Sequence, residues 1–279
     1  MRTNSKWVKF ITDNGTEDIT DKFARLQFLD FVEDSVQIAT DTQEIKGTDG
    51  VLVSASTFSP FDLILRFAYV GQDIKDYHLF KSELRGTVFK REPFFVRHSD
   101  FPGRKYAVVP KEVSWEDKYG RNGEVTITFT CYKGYSESVR DTTDMRLLQE
   151  NNQYGMMMGM DEQLKYIHDT KEFTIYNGST DTIDPGKRHR LAIQMNIEAP
   201  NGFKIRNKTT GDVFEYKKSI KKSQVFLLNS VYPYVDKKRV GINTNYSYIT
   251  LAPGENKIVI EGDGVTTLNI QWIFNYIYR

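Results

Sequence analysis

Cysteine is nearly absent from this sequence, which contains a single one, Cys131, among 279 residues. One cysteine cannot form an intramolecular disulfide, so a disulfide-stapled fold is excluded and packing and hydrogen bonds must hold the chain. Long hydrophobic runs are absent too: MRTNSKWVKF lacks the apolar core of a secretory signal, and no run approaches the roughly 20 residues of a membrane helix. We therefore expect a soluble protein made in a reducing cytoplasm, with no membrane partner.

An excess of charge of one sign is also missing. Lysine and arginine total 38 against 37 aspartate and glutamate residues, which gives a net charge of +1. Such a balance provides no global attraction to nucleic acid or to an anionic membrane. The composition favours proteins or neutral ligands as partners.

Recognised catalytic motifs are lacking. The glycines of LAPGENKIVIEGDG (251–264) suggest a phosphate loop, but such a loop lies between a strand and a helix, and here KIVIE and TLNIQWIF both have the composition of strands. The pattern predicts a turn, a strand and a hairpin. GYSES (134–138) has Ser138 where a nucleophile elbow has its second glycine, and the four histidines form no metal-binding motif. We expect no catalytic residue, cofactor or metal.

Two local clusters have a chemical and a structural interpretation. The thioethers of Met156, Met157, Met158 and Met160 suit a soft metal, but such a cluster beside a domain boundary more often fills an irregular interface. The lysines of KKSIKK (217–222) and DKKRV (236–240) suit phosphate contacts, but lysines also protect sheet edges from aggregation. The structural interpretation is favoured for both.

What the sequence does contain is short segments of alternating apolar and polar residues. In EVTITFTCY (124–132) the apolar residues from Val125 to Cys131 share one face, and in LAIQMNI those from Leu191 to Ile197 do. Alternation at period two predicts strands with one face on a core. The fold class is therefore mainly β.

Helical spacing occurs in two places. The apolar residues Ile74, Tyr77, Phe80 and Leu84 predict one helix, and Gly86 is placed to end it. DTTDMRLLQENN (141–152) predicts a second, short helix. From Phe173 onward, turn signals separate short strands, as in a β-sandwich. We predict a first domain over residues 1–140, a linker with a short helix over 141–165 and a sandwich over 166–279, whose last strand, Gln271 to Arg279, packs on either domain.

The order of these features is informative. GTDGVL (47–52) precedes SPFDLILRF (59–67), a helix, PFFVR (93–97) and PGRKYAVV (102–109), and the chain closes with LAPGENKIVIEG and an aromatic strand ending in IYR. In this order the sequence resembles the distal tail proteins, the baseplate hubs of long-tailed phages that infect Gram-positive bacteria.

The resemblance implies a structural protein of the virion tail tip, made in the host bacterial cytoplasm. An N-terminal β-domain with one helix would form a hexameric ring, and a galectin-like or carbohydrate-module-like β-sandwich would project from it. The ring would join the tail tube protein to the tail-associated tip protein, with receptor-binding proteins as further partners and phage DNA only passing through. The family has no catalytic residues to carry over.

Two groups of residues are candidates for interaction surfaces. The polar start and two glycines of TDTQEIKGTDGVLVS (40–54) predict an extended hairpin, with Gly47, Asp49, Gly50 and Val51 in an arm that embraces a neighbouring subunit or, alternatively, in a local surface hairpin. Tyr232, Tyr234, Tyr246 and Tyr248 form the dense tyrosine cluster, as a docking or sugar-binding face. Spacing of two in a strand predicts that each pair is displayed or buried together.

Three functions from different classes follow. The structural hub is favoured, a carbohydrate-binding module for host-surface glycans is the alternative, and a glycosidase with paired carboxylates is a distant third.

Overall fold

The computed structural model describes residues 6–54, 56–144 and 164–279. The chain divides into two compact units, the first running to Ser136 and including Arg279, the second comprising Glu137–Tyr278. The predicted helix over 141–152 falls outside the described residues from Met145 onward, and so do all four methionines from Met156 to Met160.

The first unit is built on one antiparallel sheet with two helices. Its elements in chain order are β1 (Val8–Thr12), β2 (Gly15–Asp18), α1 (Ile19–Lys22), β3 (Leu26–Glu33), β4 (Ile38–Ala39), β5 (Thr42–Gln43), β6 (Leu52–Val53), β7 (Thr57–Phe58), β8 (Phe61–Val70), α2 (Ile74–Val88), β9 (Phe94–His98), β10 (Arg104–Tyr119) and β11 (Asn122–Ser138). The strands of the main sheet follow the order β2-β1-β9-β10-β11-β8-β3.

Alternation places the core of this unit on one face of the sheet. Every second residue of β8 from Phe61 to Tyr69 is buried, and the same holds for β11 from Val125 to Cys131. The register sets Leu65 opposite Ile127, so the two buried rows face the same core. Burial also raises the pKa of the Cys131 thiol, which is therefore an inert core residue.

Helix α2 covers this core and is longer than predicted. Asp73 caps its N-terminus by accepting a hydrogen bond from the Asp76 amide, and Tyr77, Phe80 and Leu84 are buried as expected. The prediction that Gly86 ends the helix is wrong. Because Val88 packs into the core, the helix continues past the glycine by two residues.

The second unit is a sandwich of two antiparallel sheets. Its strands are β12 (Ile167–His168), β13 (Glu172–Asn177), β14 (Leu191–Ile197), β15 (Phe203–Asn207), β16 (Val213–Tyr216), β17 (Phe226–Asn229), β18 (Tyr232–Val235), β19 (Lys238–Arg239), β20 (Gly254–Glu261), β21 (Leu268–Phe274) and β22 (Ile277–Tyr278). One sheet has the order β12-β21-β14-β17-β18-β19 and the other β13-β20-β15-β16. Short 3-10 turns occur at Pro185–Lys187 and Gly241–Asn243.

The glycine-rich run 251–264 forms the predicted turn and strand, but the predicted hairpin after the strand is wrong, because β20 and β21 belong to different sheets and the segment between them crosses from one sheet to the other. Gly254 begins β20 with φ at +82°, and Gly264, at +79°, lies in the turn that leads to β21. Both angles are in the left-handed region that glycine adopts at little cost. The prediction of a mainly β fold with a C-terminal sandwich is confirmed. None of the described helices has the length and apolar character needed to cross a membrane.

Candidate functional site

The segment from Ile38 to Phe58 is an extended β-hairpin, which we call the arm. Strand β4 pairs with β7 at its base, and β5 pairs with β6 farther out, with Thr42 opposite Val53. At the tip, the amide and hydroxyl of Thr48 both donate to the carbonyl of Ile45, at 3.2 and 2.9 Å. The arm is thus a two-stranded ribbon closed by a turn, and its strands pair with each other and not with the main sheet.

The arm displays a large apolar surface. Every described residue from 37 to 58 is exposed. Six of them are large hydrophobic residues, each between 36% and 62% exposed: Ile38, Ile45, Val51, Leu52, Val53 and Phe58. These side chains make the arm a candidate interaction surface, because large hydrophobic side chains left in water forfeit their burial energy.

The predicted arm residues lie at this tip and at the start of the returning strand. Gly47 and Gly50 have φ angles of +90° and +79°, and a Cβ at either position would meet nothing within 4 Å. The glycines therefore serve the turn geometry and not a close approach. Asp49 and Val51 are exposed beside them.

Arg279 anchors the base of the arm, a role that sequence reasoning missed. Its guanidinium lies 3.5 Å from the ring centroid of Phe58 and donates to the carbonyl of Gly134 at 3.2 Å. Gly134 itself has φ at +70°, and a Cβ there would approach the Ser59 carbonyl oxygen to 2.9 Å. No local pattern in the sequence connects these residues.

Tyr232 and Tyr234 lie on β18 and share the outer face of the six-stranded sheet. The register places Tyr234 opposite Leu227, and Leu227 opposite Gln194, so the three side chains form a row. Tyr232 is 47% exposed, whereas Tyr234 is half-buried. This face contains a cavity of about 530 Å³ lined by Gln194, Val225, Leu227, Asn229, Tyr234, Asp236 and Lys237.

Tyr246 and Tyr248 do not behave as a strand pair, so this expectation is wrong. They lie in a loop, and Tyr246 has a left-handed φ of +57°. This angle breaks the alternation, so Tyr246 is 77% exposed while Tyr248 is half-buried. The Tyr248 hydroxyl lies by Asp184, whose negative charge raises the pKa of the phenol. Of the four tyrosines, Tyr232 on the strand and Tyr246 on the loop are exposed, whereas Tyr234 and Tyr248 are half-buried.

The most perturbed histidine is a core residue. His98 is fully buried among the rings of Phe28, Phe31, Phe101 and Tyr106, and neither ring nitrogen has a hydrogen-bond partner among the described residues. Burial lowers its pKa to about 4. A neutral histidine enclosed by rings suits packing and has no access to a substrate. The described residues contain no cluster of three or more His, Cys, Asp or Glu side chains that would hold a metal ion.

Comparisons with known proteins agree with this architecture. Residues 13–131 match the model of the phage tail protein RIFT-related domain, a range that lies in the first unit and includes the arm. The crystal structure of the Dit protein of phage SPP1, described as a paradigm of the hub adsorption apparatus in phages infecting Gram-positive bacteria, is similar at 12% identity. Its TM-score is 0.67, over 97% of this chain and 99% of that one.

Two phage P2 baseplate structures, in the activated conformation with Ca and with Sr, also match over 97% of this chain. They cover 98% and 97% of those chains, at 10% and 9% identity and TM-scores of 0.40 and 0.39. No curated protein matches the sequence. The resemblance is confirmed to this extent: residues 13–131 match a phage tail domain, and the chain shares the fold of the SPP1 Dit protein.

Proposed function

We propose that this chain, with a phage tail domain in its first unit and the fold of a Dit hub protein, is a structural component of a phage tail tip that assembles as a homo-hexameric ring. The observation that carries this proposal is the arm. An isolated two-stranded hairpin is marginally stable in water, and this one displays six large hydrophobic side chains. In the ring, a second copy of the chain packs against these side chains and removes them from water.

The arm offers two kinds of contact to a neighbouring subunit. Its apolar side chains lose water when they pack against the neighbour, at about 25 cal/mol per Å² of apolar surface. The outer edges of β5 and β6 also carry backbone groups that pair with a neighbour's strand. Repeated head-to-tail around an axis, one such contact per subunit closes a ring.

The ring joins the tail tube protein to the tail-associated tip protein, and phage DNA only passes through it. The second unit is a docking platform, to which receptor-binding proteins are candidate partners. Its support is the pair Tyr232 and Tyr234 on an open sheet face, since tyrosine is enriched in protein interfaces. The protein has no enzymatic role in this scheme.

One observation favours a second candidate function for this unit. The cavity beside Tyr234 combines an aromatic ring with the amides of Gln194 and Asn229, which is the chemistry of a sugar-binding site. Binding of a host-surface glycan is therefore the alternative to docking.

The mass in solution tests the ring. Multi-angle light scattering of the intact chain should give six times the 32.4 kDa of one chain. Replacing residues 43–50 with a short Gly-Ser link should shift the mass towards that of the monomer while the melting temperature of the monomer stays the same. A monomeric intact protein, or an unchanged hexamer after the replacement, would contradict the assignment of the arm.

A further inference from the structure

The second unit carries a dense group of cations in a stretch of the chain that contains one acid. Between residues 217 and 239 there are seven basic side chains, all exposed: Lys217, Lys218, Lys221, Lys222, Lys237, Lys238 and Arg239. No ion pair joins any of them to another described residue, whereas Lys204 and Arg206 of the same unit are paired with Glu215 and Glu261. The acid in this range, Asp236, accepts hydrogen bonds from the Val225 amide and the Gln224 side chain.

Hydrogen bonds between loops bring these cations to one edge of the sandwich, which we call the basic edge. The Lys217 amide donates to the carbonyl of Asn243 at 2.9 Å, in the 3-10 turn that follows β19. The Gln224 side chain accepts from the Lys221 amide at 3.2 Å and donates to Asp236 at 3.1 Å. The loop between β16 and β17 therefore meets the segments on both sides of β19, the last strand of its sheet.

Protection of a sheet edge does not account for this arrangement. A lysine that prevents edge-to-edge pairing has to lie on the edge strand itself, and only Lys238 and Arg239 lie on β19. The other five lie in the connections between strands, where repulsion between them does not stabilise the fold. The net charge of the whole chain, +1, gives no sign of this local cluster, because acidic residues elsewhere in the chain balance its positive charge.

We propose that the basic edge binds a phosphodiester polymer with a polyol or sugar backbone and no bases. Such a chain presents a phosphate at each repeat to cations that follow an exposed edge, and each neutralised phosphate releases counterions. Six of the seven cations are lysine, a compact charge suited to phosphate. Protein interfaces, by contrast, are depleted in lysine and enriched in arginine, so an acidic protein fits this surface less well.

Nucleic acid fits it less well for a different reason. Binding of single-stranded nucleic acid uses aromatic faces on which successive bases stack. Here the guanidinium of Arg239 lies 4.2 Å from the ring centroid of Tyr232 and occupies one face of it. Tyr246, 77% exposed, is the other strongly displayed ring of this region. A single ring with both faces open cannot stack successive bases. The arginine of this region packs on Tyr232 and is not available to hydrogen-bond a base edge.

Titration of the full-length protein with poly(glycerol phosphate) tests the proposal. We expect binding at about 50 mM salt that weakens steeply as salt rises. The triple variant Lys218→Gln/Lys221→Gln/Lys238→Gln should bind at least about tenfold more weakly, with a salt slope smaller by about 2, since each contact contributes roughly 0.7. The matched control, Lys165→Gln/Lys171→Gln/Lys187→Gln, removes three exposed lysines elsewhere in the unit and should bind as the native chain does.

Four results would overturn the proposal: no binding at low salt, equal weakening by the two triple variants, tighter binding of an oligothymidylate than of poly(glycerol phosphate), or equal binding of polyglutamate of the same length. The oligomeric mass of both variants should match that of the native protein. The polymer-binding result is independent of whether the chain forms a ring, because the substitutions leave the arm unchanged.

Discussion

The guanidinium of Arg279 lies 3.5 Å from the ring centroid of Phe58 and ties the base of the arm to the first unit. Phe58 pairs with Ile38 where the arm begins, so we expect this contact to restrict the direction in which the hairpin leaves the sheet. In the proposed ring, a fixed direction would lower the entropy that the arm loses when it docks on a neighbour.

Removing this contact should loosen the arm. Arg279→Ala should lower the stability of the first unit by about 1 kcal/mol, the usual size of a partly exposed cation–π contact. Amide exchange at Ser54 and Ser59, whose amides bond across the hairpin, should become faster. Arg279→Lys, which keeps the charge, should restore part of the protection. Unchanged exchange in Arg279→Ala would show that the contact does not hold the arm.

The exposed side chains of the arm should matter for assembly and not for folding. Leu52→Ser should weaken association at least about tenfold, because burying a half-exposed leucine contributes about 1–2 kcal/mol. The melting temperature of the monomer should not change, since Leu52 is 58% exposed. Analytical ultracentrifugation over a concentration series measures the association, because it resolves the monomer from the oligomer.

Leu79 provides the control for this substitution. It is also 58% exposed, but it lies on helix α2 and not on the arm. Leu79→Ser should leave the mass unchanged. If the two variants dissociate equally, the arm has no special part in the interface.

Two glycines with left-handed backbones should respond differently to a methyl group. Gly47→Ala places its Cβ in open space, so it should cost only the conformational strain, about 1 kcal/mol. Gly134→Ala adds a clash with the Ser59 carbonyl, which is backbone and cannot rotate away, so its cost should exceed that of Gly47→Ala. Urea denaturation compares the two. Equal denaturation midpoints for the two variants would mean that the backbone at Ser59 moves away from the added methyl group at no cost in stability.

Buried His98 should make the fold sensitive to mild acid. Its pKa is about 4 in the folded chain, because burial penalises the charged ring, against about 6.5 when unfolded. The unfolded chain therefore binds the proton more readily, and stability is lost as the pH falls from 6.5 through 4, by about 3 kcal/mol in total. His98→Phe should remove this dependence between pH 6.5 and 4.5, as followed by denaturant titration. His78→Gln, at an exposed position, should retain it, and a pH-dependent His98→Phe variant would refute the assignment.

The affinity of the protein for saccharides distinguishes the docking hypothesis from the sugar-binding hypothesis. If the second unit is a docking platform, calorimetry of the intact protein with neutral cell-wall saccharides, which carry no phosphate, should show no dissociation constant tighter than about 1 mM, or roughly 4 kcal/mol. A tighter constant that is lost in Tyr234→Ala, at the cavity, would favour the glycan. Tyr246→Ala is the matched control, because its ring lies outside that cavity.

Much of the fold follows from local pattern. The alternation from Val125 to Cys131 fixes a buried row, and KIVIE between two turns fixes β20, because side-chain direction in a strand depends only on position. The helix that begins at Ile74 was also predictable from local pattern, because its apolar residues follow helical spacing. Its end was not, since the burial of Val88 outweighs the weak helix propensity of Gly86.

The candidate surfaces needed the tertiary structure. The sequence indicated a hairpin around Gly47 and Gly50, but only the fold shows that Leu52 and Val53 remain in water. Tyr246 and Tyr248 have the spacing of a strand pair, and the backbone angle of Tyr246, set by its loop, separates them.

The sequence by itself thus determined which segments are strands and where turns interrupt them, since these depend on neighbouring residues. Only the tertiary structure decided that Arg279 meets Phe58, that His98 is enclosed by rings, and that Lys217 joins the loop beside Arg239. Such contacts join residues far apart in the chain, and a single sequence records the two members of each pair without recording that they meet.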